Sequence, residues 1–327
     1  MAEEETLDRH LTIEALRASE AAAIAAAKLV GKGDERQADE VAVDAMRSAL
    51  NRVAINGKVV IGEGERDEAP MLFIGEKVGN GDGPDVDVAV DPLEGATITA
   101  IGGSNAMSVV AFSESGGLLN APDVYMDKLA VGGGLPAGLI DLDEPPADAI
   151  RAVASARGVE TSDVVACILN RPRHEEIIAK VREAGARIRL IPDGDVAGVI
   201  ATSTPASGID IYLGVGGAPQ GVLAAAALRC VGGQMQARLV FRNEGERGRA
   251  HAIGIDDLNQ KYELDDLARG DVIFAATGVT NGNMLDGVRR DGSIATTHSL
   301  AMRSRTGTMR WIRSRRDLTR SPLVDDT

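Results

Sequence analysis

A predicted strand and an acidic turn follow one another in the stretch Asp85-Val86-Asp87-Val88-Ala89-Val90-Asp91-Pro92-Leu93-Glu94-Gly95. The alternating residues up to Val90 predict the strand. Because proline has no N–H to donate, we expect the strand to stop at Asp91-Pro92 and a tight turn to follow. Two carboxylates, Asp91 and Glu94, would then lie at the C-terminal end of a strand, where open α/β sheets place their sites. Hard cations such as Mg²⁺ and Mn²⁺ prefer such oxygen ligands. An ordinary Asx-Pro turn with a solvated glutamate would have the same sequence.

Charge and composition exclude two classes of partner. The 327 residues include 49 acidic and 35 basic side chains, and the net charge of −14 would repel a nucleic-acid backbone or an anionic membrane. Only 2% of the residues are aromatic, which argues against a base-stacking surface and predicts a core of Ala, Val, Leu and Ile. We therefore expect no nucleic-acid and no membrane partner, and any phosphate must be bound locally by metals, arginines and backbone N–H groups.

The cysteines and the start of the chain are typical of a cytoplasmic protein. Cys167 and Cys230 lie in apolar runs, so we expect buried free thiols, which fits a reducing compartment. Residues 1–5 are acidic, the opposite of a signal-peptide n-region. No apolar run reaches the roughly 18 residues that a membrane span needs.

The pattern of apolar segments predicts an α/β fold with two subdomains. We expect the elements as helices at 12–30, 36–51, 173–184, 196–202 and 218–230, and strands at 58–61, 107–112, 128–131, 164–169, 187–191, 209–213 and 272–276. A segment rich in Gly, Pro and Asp at 132–146 is the best candidate junction, which gives an N-terminal subdomain at 1–140 and a C-terminal one at 141–327. We expect the basic end, 303–320, to be a solvated or partner-facing tail.

Further acidic residues join the pair on the predicted turn. Asp39 opens or lies in the second predicted helix, and Glu63 follows a strand between two glycines. Carboxylates drawn from separate strand ends would repel one another unless they held cations. Two or three divalent metals there could polarise a phosphate and activate a water.

The second half places polar groups after its predicted strands. Arg171-Pro172-Arg173 could bind phosphate with two guanidinium groups. Asp193-Gly194-Asp195 could accept hydrogen bonds from sugar hydroxyls. The stretch Gly216-Gly217-Ala218-Pro219-Gln220-Gly221 leads into a helix whose first N–H groups could bind an anion. Each segment alone would also suit a turn or a helix cap, and their repeated placement after strands favours a binding role.

Longer motifs resemble one family. They are Ile61-Gly62-Glu63-Gly64-Glu65, Asp67-Glu68-Ala69-Pro70-Met71-Leu72, Asn120-Ala121-Pro122-Asp123 with Tyr125-Met126, Arg171-Pro172-Arg173-His174 and Asp193-Gly194-Asp195. In this order they closely resemble class II fructose-1,6-bisphosphatase over nearly the whole chain, from about Leu11 onward.

The resemblance implies a fold, a reaction and a set of residues. The fold would be the layered αβαβα sandwich of the lithium-sensitive sugar and inositol phosphatases, with a metal site in the first subdomain and sugar-phosphate binding in the second. The reaction would be Mn²⁺- or Mg²⁺-dependent removal of the 1-phosphate from fructose 1,6-bisphosphate. Similar proteins of some photosynthetic bacteria also take sedoheptulose 1,7-bisphosphate, and such proteins usually form dimers or tetramers.

By position, the resemblance assigns the following residues. The metal ligands would be Asp39, Glu63, Asp91, Glu94 and Gln220, and the catalytic positions Glu63, Asp91, Glu94 and Ala96. The substrate-binding residues would be Glu94, Gly95, Ala96, Tyr125, Arg171, Pro172, Arg173, Asp193, Gly194, Asp195 and Gly217.

Two residues depart from the family pattern. Ala96 stands where the family has a threonine whose hydroxyl is thought to position the attacking water, and losing such a group costs on the order of 10²–10⁴ in rate. Thr97 follows, but adjacent residues tend to point in different directions. Gln220 stands where the family has a glutamate, and an amide brings no charge to a metal.

These departures leave two alternatives open. One is a catalytically weakened sugar-bisphosphate-binding protein, and the other is a related inositol or sugar monophosphatase. Arg171 and Arg173 bear on the second, because a bisphosphate needs a second phosphate contact far from the metals. A dinucleotide enzyme is disfavoured, because Pro219 stands at the last glycine position of the fingerprint. Of the scattered histidines, His174 is the one that could approach substrate.

Overall fold

The computed structural model describes Leu7, residues 9–64 and residues 71–320. The predicted acidic loop after Ile61 lies outside these residues from Glu65 to Pro70. In chain order the elements are α1 (Leu11–Ala26), α2 (Glu35–Leu50), β1 (Asn56–Ile61), β2 (Lys77–Val78), β3 (Asp85–Glu94), α3 (Ala96–Ile101), β4 (Met107–Glu114), β5 (Tyr125–Val131), α4 (Pro146–Arg157), β6 (Val165–Leu169), α5 (Glu175–Glu183), β7 (Arg187–Ile191), α6 (Asp195–Ala201), β8 (Ile211–Gly217), α7 (Ala218–Val231), β9 (Gln234–Val240), α8 (Glu244–Ala252), β10 (Tyr262–Glu263), α9 (Leu264–Leu267), β11 (Val272–Gly278), β12 (Arg289–Asp291), β13 (Ile294–Arg303) and β14 (Thr308–Asp317).

These elements form two compact units. The first combines the described residues up to Leu118 with those from Gly270 onward, and the second is Leu119–Arg269. The later segment joins the first unit because β11 pairs along its whole length with β4. The compact units therefore divide the chain at other points than residue 140, where sequence composition places the junction. The separate roles predicted for 1–140 and 141–327 stay a prediction.

The first unit is built on a sheet with the strand order β12-β13-β11-β4-β3-β1-β2, in which β14 also pairs with β13. β1 and β3 are parallel, whereas β4 is antiparallel to β3 and to β11. Because β1 and β3 are parallel neighbours, their C-terminal ends lie at the same edge of the sheet. Glu63 follows the end of β1, and Asp91 lies near the end of β3.

Helices α1 and α2 pack on this sheet. Ala15 and Ala22 of α1 and Met46 of α2 share one buried cluster with Val88 of β3 and Phe112 of β4. Alanine has no side chain beyond Cβ, so α1 can approach the strands and α2 closely. The core rests mainly on small aliphatic residues, as the low aromatic content predicts.

The predicted end of the strand at Asp91-Pro92 is wrong, because β3 continues through Pro92 to Glu94. Pairing with β1 ends at Ala89, before the residue that lacks an N–H. On the other side, the register with β4 shifts between Asp91 and Glu94, so Pro92 falls within the irregular part of the ladder. Both carboxylates therefore belong to β3, and the chain turns only afterwards.

The second unit is built on a sheet with the strand order β10-β9-β5-β8-β6-β7. β6 is parallel to β7 and to β8, so these three strands end at one edge. β5 is antiparallel to β8 and to β9, so β5 begins at that edge and β9 ends there. Five strands thus bring a chain end to the same side of the sheet.

Helices pack on both faces of the second sheet. Ile150 of α4 and Val181 of α5 share a buried cluster with Ile211 and Leu213 of β8. Tyr212 lies between these two strand residues and therefore points to the other face, where its ring lies against Gly198 of α6. The prediction of an α/β fold with layers of helix and sheet is confirmed.

The basic segment 303–320 is an ordered strand rather than a tail. Thr308–Asp317 form β14, which pairs with β13 over its full length. The two cysteines are buried free thiols, as predicted. Among the helices of the described residues, none has the length and apolar character that would let it cross a membrane.

A buried ion pair fixes the end of β13 and supplies a test of the first unit. Arg303 and Asp271 are both about 5% exposed and lie 2.6 Å apart. Arg303→Met would leave the carboxylate of Asp271 buried without this cation, so we expect the free energy of unfolding to fall by about 3–5 kcal/mol in urea denaturation. Arg36→Met, from an exposed pair with Glu40, is the control and should cost less than about 1 kcal/mol. Equal losses would contradict this role.

Candidate active site

Three carboxylates come together in the first unit. Asp34 starts α2 by accepting the N–H of Gln37 at 2.9 Å, and Asp39 lies one turn further along the helix. Asp39 and Glu63 are joined by a hydrogen bond between their carboxyl groups, and the charge of Asp91 acts on Glu63. Asp39 and Glu63 are thus in contact, and Asp91 acts on Glu63 through its charge. They come from α2, the segment after β1, and β3.

The pKa values in this cluster are raised. Loss of hydration raises the pKa of Glu63 well above its usual range, and the carboxylates of Asp39 and Asp91 raise it further. Loss of hydration also raises the pKa of Asp39, although the hydrogen bond from Glu63 opposes this effect. Negative charge is therefore unfavourable here in the protein alone.

A divalent cation fits the chemistry of this cluster. The three donors are all carboxylates, which hard cations prefer, and a cation would relieve their repulsion. Across residues 9–64 and 71–320, no three acidic, histidine or cysteine side chains already stand in a metal-binding arrangement. The types of donor suit such a cation, and the metal site stays a prediction.

The residues after Asp91 lead directly into a short helix. Glu94 is buried at the end of β3, and Gly95 has a left-handed backbone with φ of 93°. Ala96 is the first residue of α3 and is partly buried, whereas Thr97 is exposed. Successive residues of a helix point about 100° apart, so the hydroxyl of Thr97 does not take the place of one at position 96.

The second unit gathers the other predicted residues at one edge of its sheet. Arg171, Pro172 and Arg173 follow β6, Asp193 and Gly194 follow β7, Asp195 starts α6, and Gly217 and Gln220 lie at the junction of β8 and α7. Tyr125, the first residue of β5, pairs in register with Gly217. These residues meet because three parallel strands end there, which is the usual place for a site in such sheets.

A buried lysine joins two of these segments. Lys128 is 1% exposed, forms an ion pair with Asp195, and donates to the carbonyl of Gly217 at 2.9 Å. A Cβ at Gly216 would lie 2.0 Å from the carboxylate of Asp195, so only glycine fits there. Lys128 therefore fixes the start of α6 against the end of β8.

The two arginines have different partners. Arg173 donates to the carbonyl of Val215 from Nε and Nη2, at 3.0 and 2.7 Å, and its guanidinium lies 4.8 Å from the ring centre of Tyr125. Arg171 lies beside Asp193, with 4.0 Å between Nη2 and Oδ1, and both side chains are 39% exposed. The segment thus presents two separately held guanidinium groups rather than a single pair.

The hypothesis that His174 approaches substrate is wrong. Its side chain is buried, with Nδ1 2.7 Å from the carbonyl of Leu169, while Nε2 accepts the N–H of Val215 at 2.8 Å. Because Nε2 accepts a hydrogen bond, Nδ1 holds the proton and donates it. Burial is the main cause that lowers the pKa of His174. His174 joins the ends of β6 and β8 and so supports the strand end to which Arg173 is bonded.

Gln220 lies in the first turn of α7, in the second unit. A Cβ at Gly217 would lie 2.0 Å from its side-chain oxygen, so glycine lets this amide fold back over the backbone. Its assignment as a metal ligand stays a prediction.

Sequence reasoning missed two charged residues at this edge, Lys128 and Arg242. Lys128 follows Asp127 in β5, and a lysine next to the apolar residues of a strand is itself a signal of a paired buried charge. Arg242 precedes Asn243 and Glu246, a spacing that indicates a helix start. Asn243 does cap α8 by accepting the N–H of Glu246 at 2.9 Å.

Carboxylates suited to a divalent metal and arginines suited to an anion are the groups of a metal-dependent phosphatase. The family model described as bacterial fructose-1,6-bisphosphatase, glpX-encoded, matches residues 9–316. The chain is 48% identical over 320 residues to fructose-1,6-bisphosphatase 1 class 2 of Escherichia coli K12, covering 94% of this chain and 95% of that protein. The class 2 enzyme of Shigella flexneri shows the same identity and coverage. The chain belongs to the bacterial fructose-1,6-bisphosphatase family, and the predicted resemblance is confirmed. This membership implies a divalent metal requirement.

The carboxylate cluster predicts that Glu63→Gln stabilises the protein without metal and reduces the stabilisation that metal provides. Without metal, the variant should be more stable than the unmodified protein near neutral pH, because it removes a poorly hydrated charge that faces two others. The pKa of Glu63 is raised in the folded state. The contribution of protonated Glu63 to the free energy of unfolding is therefore present below the usual glutamate range and is lost as the pH rises towards the raised pKa. The advantage of the variant should therefore grow with pH.

Thermal unfolding at about pH 5 and about pH 8, with and without Mn²⁺, measures this effect. Mn²⁺ should raise the midpoint of the unmodified protein more than that of the variant. Glu35→Gln, exposed on the same helix as Asp39, is the control and should respond to Mn²⁺ like the unmodified protein. The cluster is not a metal site if Glu63→Gln and Glu35→Gln gain equally from Mn²⁺.

His174 predicts a loss of stability at mildly acid pH. Because the pKa of His174 is lowered in the folded state, the unfolded chain takes up a proton at a higher pH than the folded chain does. The contribution of neutral His174 to the free energy of unfolding is therefore complete above the usual imidazole pKa and is lost as the pH falls below it. Between about pH 7.5 and about pH 5.5, His174→Asn should reduce the acid-induced loss of unfolding free energy by about 1 kcal/mol. His10→Asn, at an exposed position, is the control. An unchanged pH slope for His174→Asn would refute this assignment.

Proposed function

We propose that the chain hydrolyses the 1-phosphate of fructose 1,6-bisphosphate, releasing fructose 6-phosphate and inorganic phosphate. The observation that carries the proposal is 48% identity over 94% of the chain to a protein named for this activity. The carboxylate cluster of the first unit and the arginines of the second are the chemical groups that such a reaction needs, and they support it independently.

Each group has a proposed role. Asp39, Glu63, Asp91 and Glu94 would hold the metal, with Gln220 as a neutral ligand. A divalent ion bound there supplies charge that polarises phosphoryl oxygens and acidifies a water. The cluster must release the proton shared by Asp39 and Glu63 before it can bind a cation, so binding should strengthen as the pH rises.

The second unit would bind and orient the sugar phosphate. Arg171 and Arg173 offer N–H groups to phosphate oxygens, and both are already held by neighbouring acceptors. Asp193 and Asp195 would act on the sugar hydroxyls, with Asp195 oriented by Lys128. The first backbone N–H groups of α7, next to Gly217, would face an anionic group.

The finer assignments belong to the same proposal. The metal would be Mn²⁺ or Mg²⁺, the compartment the cytoplasm, the pathway gluconeogenesis, and the assembly a homo-oligomer of two or four chains. Sedoheptulose 1,7-bisphosphate would be a second substrate, with the same sugar-phosphate chemistry.

The alternatives are not favoured. Both the family model and the similar proteins are named as fructose-1,6-bisphosphatases, which argues against an inositol monophosphatase. The hypothesis of a catalytically weakened binding protein depends on Ala96 and Gln220 alone. Each of these residues lies in the first turn of an otherwise regular helix.

Phosphate release from fructose 1,6-bisphosphate with Mn²⁺ tests the proposal. We expect turnover by the unmodified chain and an increase of about 10² in kcat for Ala96→Thr, because the hydroxyl acts on water rather than on substrate binding. KM should change little. Thr97→Ala is the matched control and should leave both values nearly unchanged, since Thr97 is exposed. If neither the unmodified chain nor Ala96→Thr releases phosphate, the proposed function is wrong.

A further inference from the structure

The backbone of Glu63 is held by a later segment of the first unit. β1 ends at Ile61, and the N–H of Glu63 donates to the carbonyl of Leu72 at 3.0 Å. The carbonyl of Gly64 accepts the N–H of Ile74, also at 3.0 Å. These two bonds fix the chain on both sides of the α-carbon of Glu63, and so they set the direction in which its side chain leaves the backbone.

The sheet itself contributes less to this direction. In the described part of the chain, β1 pairs with β3 as far as Ile61, which lies opposite Ala89. The register shifts between Val59 and Ile61, and a shift of this kind re-aims the side chains near it. The position of Glu63 therefore depends more on the bond to Leu72 than on the ladder with β3.

Leu72 has a backbone conformation that leucine rarely adopts. Its φ is 52°, in the left-handed region. Its side chain is fully buried in the same core cluster as Val59 and Val88. Leu72 begins the segment 72–76, which runs back along β1 and ends where the carbonyl of Glu76 accepts the N–H of Val59 at 2.9 Å. Strain of this kind persists where the surrounding packing imposes it, and it is concentrated at functional sites.

Gly62 gives the two segments room to approach each other. A Cβ at this position would lie 1.9 Å from the carbonyl oxygen of Leu72 and 2.8 Å from Cγ1 of Val59. The φ of Gly62 lies outside the left-handed region, so glycine is needed here for space rather than for its backbone freedom. A larger residue would push the carbonyl of Leu72 away from the N–H of Glu63.

The later segment is also tied to the helix that carries Asp39. Glu76, at its end, has a side chain that is 7% exposed and lies 2.6 Å from Nε of Arg47. Arg47 and Asp39 both belong to α2. The segment that holds the backbone of Glu63 is therefore fixed to the element that bears its carboxylate partner, Asp39.

We propose that Leu72 and Gly62 position Glu63 for a divalent cation, because the carbonyl of Leu72 fixes its backbone and Gly62 provides the space for that bond. This inference rests on the proposed function, which assigns Glu63 to the metal. A glycine and a leucine have no side-chain ligand to offer, so both are positioning residues. Loss of groups that orient a metal ligand typically weakens metal affinity about 10- to 100-fold.

Gly62→Ala tests this inference and leaves every proposed ligand in the chain. Its Cβ should displace the carbonyl of Leu72 from the N–H of Glu63. Gly132→Ala is the matched control, because a Cβ there would lie 2.2 Å from the carbonyl oxygen of Thr202, a similar clash in the second unit. The φ of Gly132 also lies outside the left-handed region.

The measurement is the Kd of Mn²⁺, determined by calorimetry on the folded protein without substrate. We expect this Kd to rise at least about tenfold for Gly62→Ala and to stay nearly unchanged for Gly132→Ala. Both variants should be less stable in urea denaturation, since each adds an atom to a closely packed place. A loss of stability alone would therefore not produce the expected difference in Mn²⁺ affinity.

A second pair of variants tests the anchoring of Leu72. Leu72→Ala removes the buried side chain that holds the left-handed backbone in place. Leu16→Ala removes a buried side chain of α1 from the same core cluster. Both changes should destabilise the protein, but only Leu72→Ala should raise the Kd of Mn²⁺. This pair decides the question if Gly62→Ala is unfolded in urea titration.

The outcomes separate this inference from the proposed function. Equal Mn²⁺ affinities of Gly62→Ala and Gly132→Ala overturn the positioning role, even when the unmodified chain releases phosphate from the bisphosphate. The absence of Mn²⁺ binding to the unmodified chain also overturns it. Weaker Mn²⁺ binding by Gly62→Ala alone supports the positioning role, even when the unmodified chain releases no phosphate and the proposed function is wrong.

Discussion

The burial of carboxylates beside one another is the constraint on which the candidate metal site of the first unit depends. Asp39, Glu63 and Asp91 come from α2, the end of β1 and β3, and each element is anchored by a densely packed core of small aliphatic residues. A close-packed core resists displacement, so loss of hydration raises the pKa of Glu63, and the charges of Asp39 and Asp91 raise it further. The divalent cation that we propose for this cluster would offset the cost of holding these groups together.

The second unit meets a different constraint, the placement of the arginines that we propose bind substrate. Its arginines are exposed, yet buried polar groups behind them fix the backbone or the side chain. Lys128 joins α6 to the end of β8, His174 joins the ends of β6 and β8, and Glu246 holds Arg242. Buried ion pairs contribute little net stability, so their value here lies in positioning. Preorganised donors lose less conformational entropy when a ligand binds.

The two departures from the family pattern concern chemistry rather than folding. Ala96 and Gln220 lie in the first turns of α3 and α7, and both helices are regular there. Replacing a hydroxyl by a methyl group, or a carboxylate by an amide, changes which hydrogen bonds or charges are available without changing the backbone. The fold can therefore be complete while the rate of the reaction depends on a few atoms at two helix starts.

Local sequence determined several of the elements and placed predicted site residues after strands. The predicted strand at 187–191 coincides with β7, and the helix predicted at 218–230 differs from α7 by one residue, because apolar periodicity and flanking glycines act over a few residues. Tertiary structure decided the continuation of β3 through Pro92, which is possible because the pairing register shifts there. It also decided the partners of Lys128, which depend on pairing between strands about a hundred residues apart. Such register is set by the whole sheet, and no local pattern specifies it.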